Sequence, residues 1–292
     1  MTGAAVGGAG CVEYSLAMTQ ITDIDALAAQ VPDGALVALP AEQSYVPMAL
    51  IRALIRRQVK DLHLLCVPIG GIAVDMLIGA GCVSTVQCAA VSLGEYGLAP
   101  RFSQAIEEGT VKILDSTCPA IHASLQAGEK GVPFMPLTGL IGSDILANRD
   151  DWKVVDDPMG TGFGPIVLLP AIRPDFALLH SPFADTQGNL WIGRRREMIT
   201  MAHAAKATLA TAEEVRDGNL VADLTLAGGM LPGLYVDGVA PAAMGAKPIG
   251  LLGVYGADAD TYRTYARMAR TPEGFEEFMN DFLAQDMAAA AE

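Results

Sequence analysis

Short runs of consecutive apolar residues recur along the chain, and most are followed by a turn signal and then by a segment with helical spacing. A strand that is apolar at consecutive positions is buried on both faces, as strands of parallel sheets are. The runs lie at 35–39, 62–68, 83–91, 111–114, 166–169, 176–180, 208–211 and 234–239. This alternation predicts right-handed βαβ units, and so an α/β fold with an open, mostly parallel sheet and helices on both faces.

The segments between these runs carry helix signals. The predicted helices span 21–30, 47–58, 74–78, 101–108, 119–127, 197–205, 260–270 and 272–287. Thr22 is the expected N-cap of the first helix, with Asp25 three residues later. Residues 133–164, rich in Pro, Gly and Asp, are expected to leave the alternation as an excursion. No repeat or long linker divides the rest, so 21–292 are predicted to form one domain after a flexible extension at 1–20.

Charge and hydropathy exclude several classes of function. The net charge is −14, whereas a nucleic-acid surface needs clustered Lys and Arg. No uncharged apolar run reaches the roughly 18 residues that a membrane helix requires. The first ten residues are Gly- and Ala-rich and do not resemble a signal peptide. We therefore expect a cytoplasmic protein with no nucleic-acid and no membrane partner.

One basic cluster and the cysteines have alternative interpretations. Arg194-Arg195-Arg196 is either a solvated turn or subunit contact, or a phosphate contact for a nucleotide-like ligand, since Arg pairs well with phosphate. The cysteines have no metal-ligand spacing and are expected to be reduced and mostly buried, so no metal site is expected. They are Cys11, Cys66, Cys82, Cys88 and Cys118.

Ligands of open α/β sheets bind beyond the carboxyl ends of the strands. The site is therefore expected on the loops at 40–46, 69–72, 93–100 and 181–189. In the second loop, Gly70-Gly71 either brings backbone N–H groups to an oxyanion or phosphate, or forms an ordinary tight turn. No GxGxxG motif is present there, so dinucleotide binding is poorly supported.

The third loop holds a carboxylate between two glycines, in the sequence Gly94-Glu95-Tyr96-Gly97. If Glu95 is partly desolvated at the end of a strand, its pKa is raised and it can act as a general base or nucleophile. The alternative is a solvated loop residue.

The first loop offers a carboxylate, an amide and two hydroxyls just ahead of a helix, in the sequence Glu42-Gln43-Ser44-Tyr45. These groups either contact substrate or only cap the helix. Ser44 has no spaced triad partner and the chain has no GxSxG motif, which disfavours serine hydrolase chemistry. In the fourth loop, His180 is interpreted as a satisfied, buried histidine, and 185–189 as a turn held by Asx side chains.

A series of short segments between about residues 31 and 278 shares its order and spacing with a known family. The segments are PDG at 32–34, PMALIR at 47–52, KDL at 60–62, LIGAG at 77–81, GEYG at 94–97, GVPF at 131–134, GSD at 142–144, PD at 174–175, His180, AD and GN at 184–185 and 188–189, AAK at 204–206 and LPGLYVD at 231–237. In these segments the chain resembles the α-subunit of class I CoA-transferases, especially the glutaconate CoA-transferase branch.

The resemblance implies an open α/β sheet, a coenzyme A thioester as substrate and no tightly bound cofactor. It also implies a homologous β-subunit, often in an α2β2 assembly. In the transferases a Glu forms an acyl anhydride and then a glutamyl-CoA thioester. That Glu normally lies in the β-subunit, within a Ser-Glu-Asn-Gly motif that this chain lacks. The chain would then be incomplete alone.

One departure leaves the reaction open. The family's Gly-Gly-Phe-type oxyanion loop is replaced by residues 40–45, whereas Gly94-Glu95-Tyr96 is retained. We therefore expect the α-subunit of an acyl-CoA:carboxylate CoA-transferase acting on a small or dicarboxylic acyl-CoA. The alternatives are a related acyl-CoA hydrolase, C–C bond-cleaving enzyme or decarboxylase with Glu95 as base, and a non-catalytic scaffold paralogue. Glu95 is the expected catalytic residue, as the counterpart of the key α-subunit Glu of ring-cleaving relatives. The expected substrate-binding residues are Glu42, Gln43, Ser44, Gly70, Gly71, Gly94 and Tyr96.

Overall fold

The computed structural model describes residues 19–289, with side chains up to residue 284. Residues 1–18 of the predicted extension, and Cys11 with them, lie outside this range. The strands are β1 Gln20–Ile21, β2 Leu36–Pro40, β3 Leu62–Val67, β4 Ile69–Gly70, β5 Val83–Cys88, β6 Ala90–Val91, β7 Lys112–Asp115, β8 Phe134–Leu137, β9 Lys153–Val155, β10 Ile166–Pro170, β11 Phe176–Ser181, β12 Ala184–Asp185, β13 Leu190–Trp191, β14 Ala207–Ala212, β15 Val215–Arg216, β16 Met230–Leu231 and β17 Gly238–Pro241. The helices are α1 Ile24–Ala29, α2 Met48–Arg56, α3 Ile72–Gly79, α4 Pro100–Glu108, α5 Cys118–Lys130, α6 Glu197–Ala204, α7 Ala259–Met268 and α8 Pro272–Ala289.

The largest sheet has eight strands in the order β1-β17-β14-β11-β2-β3-β5-β7. Every neighbouring pair in it is parallel. The sheet is open, because β1 and β7 lie at its two edges. The predicted α/β fold with an open, mostly parallel sheet is therefore confirmed.

Helices cover both faces of this sheet. Side chains of α1 to α4, α7 and α8 pack on one face, and those of α5 and α6 on the other. Successive residues of a strand point to opposite faces. Accordingly, Val37 and Leu39 of β2 enter the first core and Ala38 enters the second. A fully buried Leu such as Leu64 contributes about 1.5–3 kcal/mol to stability relative to an exposed one.

The run at 166–169 does form a strand, β10, but not in the main sheet. β10 pairs antiparallel with β8 and β9 in a separate three-stranded sheet. Only one of its two faces is fully buried, and Val167 and Leu169 form that face. The expectation of burial on both faces is therefore wrong, because Ala120 and Ala123 of α5 cover one side only. The excursion predicted at 133–164 supplies β8 and β9.

Two element boundaries also differ from prediction. The first helix begins at Ile24, and its N-cap is Asp23, whose Oδ1 accepts a hydrogen bond from the Ala26 N–H at 2.7 Å. Thr22 instead continues the edge strand, where its N–H binds the Val239 carbonyl. The strand expected at 234–239 is split into a 3-10 turn at Gly233–Tyr235 and β17. Within residues 19–289, no helix is long and apolar enough to cross a membrane.

Candidate functional site

The four predicted site loops follow four neighbouring strands, β11, β2, β3 and β5. Because these strands are parallel, the loops lie side by side beyond the carboxyl ends of the strands. The small β4–β6 ladder joins the second loop to the third by pairing Gly70 with Val91. Glu42 joins the first loop to the second, since its carboxylate accepts a hydrogen bond from the Ile72 N–H.

Glu42 is half-buried between α3 and α7. Its Oε1 also accepts a hydrogen bond from the Tyr262 hydroxyl, 3.1 Å away. Burial disfavours the charged form and raises the pKa of this carboxyl from 4.5 to about 8, although the hydrogen bonds from Ile72 and Tyr262 act in the opposite direction. Near neutral pH the group is mostly protonated, so it is poised to exchange a proton in that range.

The glycines of the second loop are explained by close packing. A Cβ added to Gly71 would lie 2.2 Å from Glu42 Cγ, and one added to Gly70 would lie 2.7 Å from Val74 Cγ2. The Ile72 N–H at the start of α3 is already bound by the Glu42 carboxylate. Substrate contact by Gly70 and Gly71 stays a prediction.

Glu95 is exposed in this chain, so of the two alternatives for this residue the solvated loop carboxylate is the one that holds. Gly94–Tyr96 forms a single 3-10 turn. Gly94 and Gly97 have φ values of 62° and 106°, which glycine adopts without steric cost, and they permit this turn. The catalytic role of Glu95 stays a prediction.

Tyr96 connects the two carboxylates. A hydrogen bond to Glu95 is the main reason that the pKa of Tyr96 is raised. The Tyr96 ring stacks on the Tyr262 ring, with centroids 4.9 Å apart. Since Tyr262 also binds Glu42, the side chains form a continuous chain of contacts from an exposed carboxylate to a half-buried one.

The remaining polar groups of the first loop do not cap the helix that follows them. α2 has Pro47 at its N-cap position and no side-chain capping bond. Ser44 is buried, and its Oγ accepts a hydrogen bond from the Leu252 N–H at 2.8 Å. Gln43 is exposed. The alternative that these groups only cap α2 is therefore wrong, and Glu42 instead accepts a hydrogen bond at the start of α3.

Three adjoining clefts meet around Leu252. A first cleft of about 500 Å³ is formed by Gln43 and residues 250–257. A second, of about 610 Å³, adds Ser44 and His122 to Gln43 and Leu252. A third, of about 540 Å³, extends from Leu252 to residues 225–229. Gln43 and Ser44, both predicted to bind substrate, therefore line open space, but contact with a substrate stays a prediction.

The segment that carries Leu252 is held by a polar network around His180. His180 is fully buried; its Nδ1 lies 2.7 Å from Thr211 Oγ1 and its Nε2 lies 2.8 Å from Glu213 Oε1. Glu213 also accepts hydrogen bonds from the Tyr255 hydroxyl and the Met244 N–H. Burial lowers the pKa of His180. The interpretation of His180 as a satisfied, buried histidine is therefore confirmed.

Two residues of this region, Glu213 and Tyr262, were not predicted from the sequence. Glu213 follows β14 directly, so its place at a strand end could have marked it. Tyr262 lies on a C-terminal helix 220 residues from Glu42, and no local pattern connects the two. In the described part of the chain, no group of three His, Cys, Asp or Glu side chains could hold a metal ion.

A sequence profile described as coenzyme A transferase matches residues 21–242, more than half of the chain. The chain belongs to the coenzyme A transferase family. It is 29% identical to the α-subunit of glutaconate CoA-transferase from Acidaminococcus fermentans, over 89% of this chain and 86% of the relative. It is 30% identical to the corresponding subunit of 3-oxoadipate CoA-transferase from Pseudomonas knackmussii, over 87% of this chain and 89% of the relative. It is also 29% identical to the cholesterol ring-cleaving hydrolase IpdA subunit of Rhodococcus jostii, over 82% of each.

Two solved structures superpose well on this fold. The crystal structure of glutaconate coenzyme A-transferase from Acidaminococcus fermentans matches with a TM-score of 0.84 and 25% identity, covering 91% of this chain and 89% of that one. A variant of the decarboxylase AibA/AibB matches with a TM-score of 0.80 and 28% identity, covering 92% and 100%. The resemblance to the glutaconate CoA-transferase α-subunit is thereby confirmed.

Proposed function

We propose that this chain is the α-subunit of an acyl-CoA:carboxylate CoA-transferase that acts on a small or dicarboxylic acyl-CoA. The observation that carries the proposal is the match to glutaconate CoA-transferase, at 29% sequence identity and with a TM-score of 0.84. Two of the relatives are transferases named for glutaconate and for 3-oxoadipate. Both acids are dicarboxylic, which favours a substrate with a second carboxylate.

A homologous β-subunit belongs to the proposal, in an α2β2 assembly. Its support is that these two relatives are themselves single subunits of their transferases, together with the absence of a Ser-Glu-Asn-Gly motif from this sequence. In this scheme the β-subunit supplies the Glu that forms the acyl anhydride and then the glutamyl-CoA thioester. The coenzyme A thioester is a substrate rather than a bound cofactor. A cytoplasmic location is also proposed, since the free thiols of Cys66, Cys82 and Cys88 suit a reducing compartment.

The proposal is tested on the chain co-expressed with its β-subunit. The purified complex is incubated with an acyl-CoA and a free dicarboxylic acid, and the new acyl-CoA is measured by mass spectrometry. We expect ping-pong kinetics and a glutamyl-CoA adduct that borohydride reduces. Hydrolysis of the thioester without formation of a second acyl-CoA would contradict transfer.

A second candidate is a hydrolase, C–C bond-cleaving enzyme or decarboxylase that uses Glu95 as general base. What favours it is the similarity to the ring-cleaving hydrolase subunit and to AibA/AibB, together with the altered first loop. A carboxylate base has to reach the proton it removes, and an exposed Glu95 at the rim of the site is free to do so.

The two candidates differ in what Glu95→Gln does. As a general base, Glu95 contributes roughly 10²–10⁴-fold to kcat. If the β-subunit supplies the nucleophile instead, Glu95→Gln retains most of the transferase activity. Glu107→Gln, an exposed carboxylate on α4, is the matched control for the loss of one negative charge.

A further inference from the structure

Arg194 stands where the second and third clefts of the candidate site meet. It lines both of them, and Leu252 is the other residue that they share. On one side of Arg194 lie Gln43 and Ser44 of the first site loop. On the other side lies the Trp191 ring. A ligand held by the first loop and extending past Leu252 would therefore pass this guanidinium.

The neighbouring Arg195 is already engaged, whereas Arg194 is not. The Arg195 guanidinium binds the Glu197 carboxylate and lies over the Tyr45 ring, 5.7 Å from its centroid. Arg194 is exposed and forms no hydrogen bond or ion pair with another side chain of the described residues. Its five N–H donors therefore have no internal side-chain acceptor.

The charge of the lining favours an anion at this point. In the second cleft, Arg194 and Arg195 stand against a single acidic residue, Glu197, which leaves one net positive charge. In the third cleft, Arg194 and Arg196 are both cationic and no acidic residue lines the space. These cations lie in a chain whose net charge is −14. Clefts lined by one sign of charge concentrate ligands of the opposite sign.

The floor of the third cleft is shaped for close approach. A Cβ on Gly229 would lie 2.4 Å from Trp191 Cζ3, and one on Gly193 would lie 3.7 Å from the Trp191 ring and from the Tyr45 hydroxyl. A larger residue at position 229 would therefore collide with the Trp191 ring, which lines the third cleft together with Arg194. This ring also stacks on Phe183, with centroids 5.8 Å apart, which holds it in place.

We infer that Arg194 is the anion-binding residue of the substrate cleft and contacts a carboxylate or phosphate group of the acyl-CoA substrate. The inference deepens the proposed function and rests on it for the identity of the ligand. A guanidinium binds both groups with two parallel hydrogen bonds. The two possible sources are the distal carboxylate of a dicarboxylic acyl group and the phosphates of coenzyme A.

The test compares Arg194→Gln with Arg173→Gln in the complex with the β-subunit. Arg173 is an exposed arginine that lines none of the three clefts, so it controls for loss of one positive charge. Substrates are a dicarboxylic acyl-CoA and a monocarboxylic one of equal chain length. We expect Arg194→Gln to raise KM by about tenfold or more, with a smaller effect on kcat, as for loss of a charge-assisted pair. Arg194→Lys, which keeps the charge but not the fork, should restore part of the loss.

The pattern across substrates identifies the group bound. A rise in KM for the dicarboxylic substrate alone assigns the distal carboxylate to Arg194. An equal rise for both substrates assigns a phosphate of coenzyme A. Unchanged KM values for both, matching those of Arg173→Gln, would overturn the inference.

A binding measurement separates this inference from the proposed function. In a Trp152→Phe background, Trp191 is the remaining tryptophan of this chain, and its fluorescence reports on the third cleft. Coenzyme A and glutarate are titrated into the complex and into its Arg194→Gln form. If ligand binding depends on Arg194 but the complex shows no transferase turnover, the inference about Arg194 is supported and the proposed function fails. If the complex turns over but ligand binding does not depend on Arg194, the proposed function is supported and the inference about Arg194 fails.

Discussion

Glu42 is a carboxyl group with two partners inside the protein and a pKa moved into the neutral range. The Ile72 N–H and the Tyr262 hydroxyl both donate to it, yet burial outweighs them and raises its pKa to about 8. In the unfolded chain the same group ionises near 4.5. Between these two values the folded state holds a proton that the unfolded state has released.

Glu42→Gln is therefore expected to change how stability depends on pH. The contribution of Glu42 to stability falls as pH rises from about 4.5 to 8, because at this group the unfolded state binds fewer protons than the folded state in this window. Gln cannot ionise, so the variant lacks this loss. Relative to the wild type, its free energy of unfolding should improve between pH 5 and pH 8, as measured by urea denaturation at each pH.

The comparison needs a control for net charge, since the chain carries −14. Glu276→Gln removes an exposed carboxylate of α8 and serves this purpose. If both variants show the same pH dependence, the proton on Glu42 does not contribute to stability. If Glu42→Gln becomes less stable relative to the wild type as pH rises, the pKa of Glu42 is lowered in the folded state and not raised.

The sequence pointed to Glu95 as the reactive carboxylate and not to Glu42. Glu95 stands out in the sequence because glycines flank it, but those glycines leave it exposed. Glu42 is half-buried because Tyr262, from a helix 220 residues away, closes over it. Desolvation of a side chain depends on such distant contacts, and a local motif does not contain them.

At the scale of single elements, Asp75 of α3 is the acceptor that begins α4. This fully buried carboxylate accepts hydrogen bonds from the Phe102 N–H at 2.7 Å and from the Tyr265 hydroxyl at 2.7 Å. Asp75→Ala leaves the buried Tyr265 hydroxyl without a partner, at about 1–3 kcal/mol, and removes the cap from the Phe102 and Arg101 N–H groups, at about 1 kcal/mol. We expect a loss of roughly 2–4 kcal/mol in the free energy of unfolding, measured by urea denaturation.

Asp258 gives the matched comparison, because it caps α7 at a more accessible position. Its Oδ1 accepts from the Asp260 and Thr261 N–H groups. Water can replace it in an Ala variant, so Asp258→Ala should cost only about 1 kcal/mol. Equal losses for Asp75→Ala and Asp258→Ala would mean that burial of the donors adds nothing.

Gly71→Ala tests the contact between the first two site loops. The added Cβ would lie 2.2 Å from Glu42 Cγ, so the Glu42 side chain must move away from Ile72. We expect a loss of about 1–3 kcal/mol in thermal or urea unfolding, as for other overpacked sites. Gly139→Ala, where nothing lies within 4 Å of the added Cβ, should cost little.

A double variant tests whether the Glu42 side chain is what the added methyl group at position 71 meets. Glu42→Ala removes the atoms that the new methyl group meets, so the loss in Gly71→Ala/Glu42→Ala should be smaller than the sum of the two single losses. Strictly additive losses would show that the strain at position 71 comes from somewhere else.

Most of the main-sheet elements were predictable because their signals are local. Consecutive apolar residues marked β2, β3 and β11, and turn residues marked their ends. Strand β10 carried the same apolar signal but pairs in another sheet. The choice of pairing partner is a property of the folded chain, which an apolar run does not encode. Two-residue strands such as β4 and β6 are too short to show any periodicity.

At the scale of the whole molecule, some of the exposed apolar side chains lie on the loops that carry the site. Leu98 of the third loop is 78% exposed, and Leu252 and Val254 beside the clefts are each 53% exposed. Apolar groups clustered on a surface mark a contact with another molecule. Their position suits a β-subunit that completes the site from above the strand ends.

Leu98→Asp should therefore weaken assembly with the β-subunit. Burying a carboxylate in the subunit contact should cost more than about 1.4 kcal/mol. The Kd of the subunits should therefore rise more than tenfold. The Kd of the mixed subunits is measured by analytical ultracentrifugation. Val154→Asp places the same charge at a 53% exposed apolar position of the antiparallel β8-β10-β9 sheet, away from the loops at the strand ends. A larger effect at 154 than at 98 would move the interface to that sheet, and the site would then have to be complete within this chain.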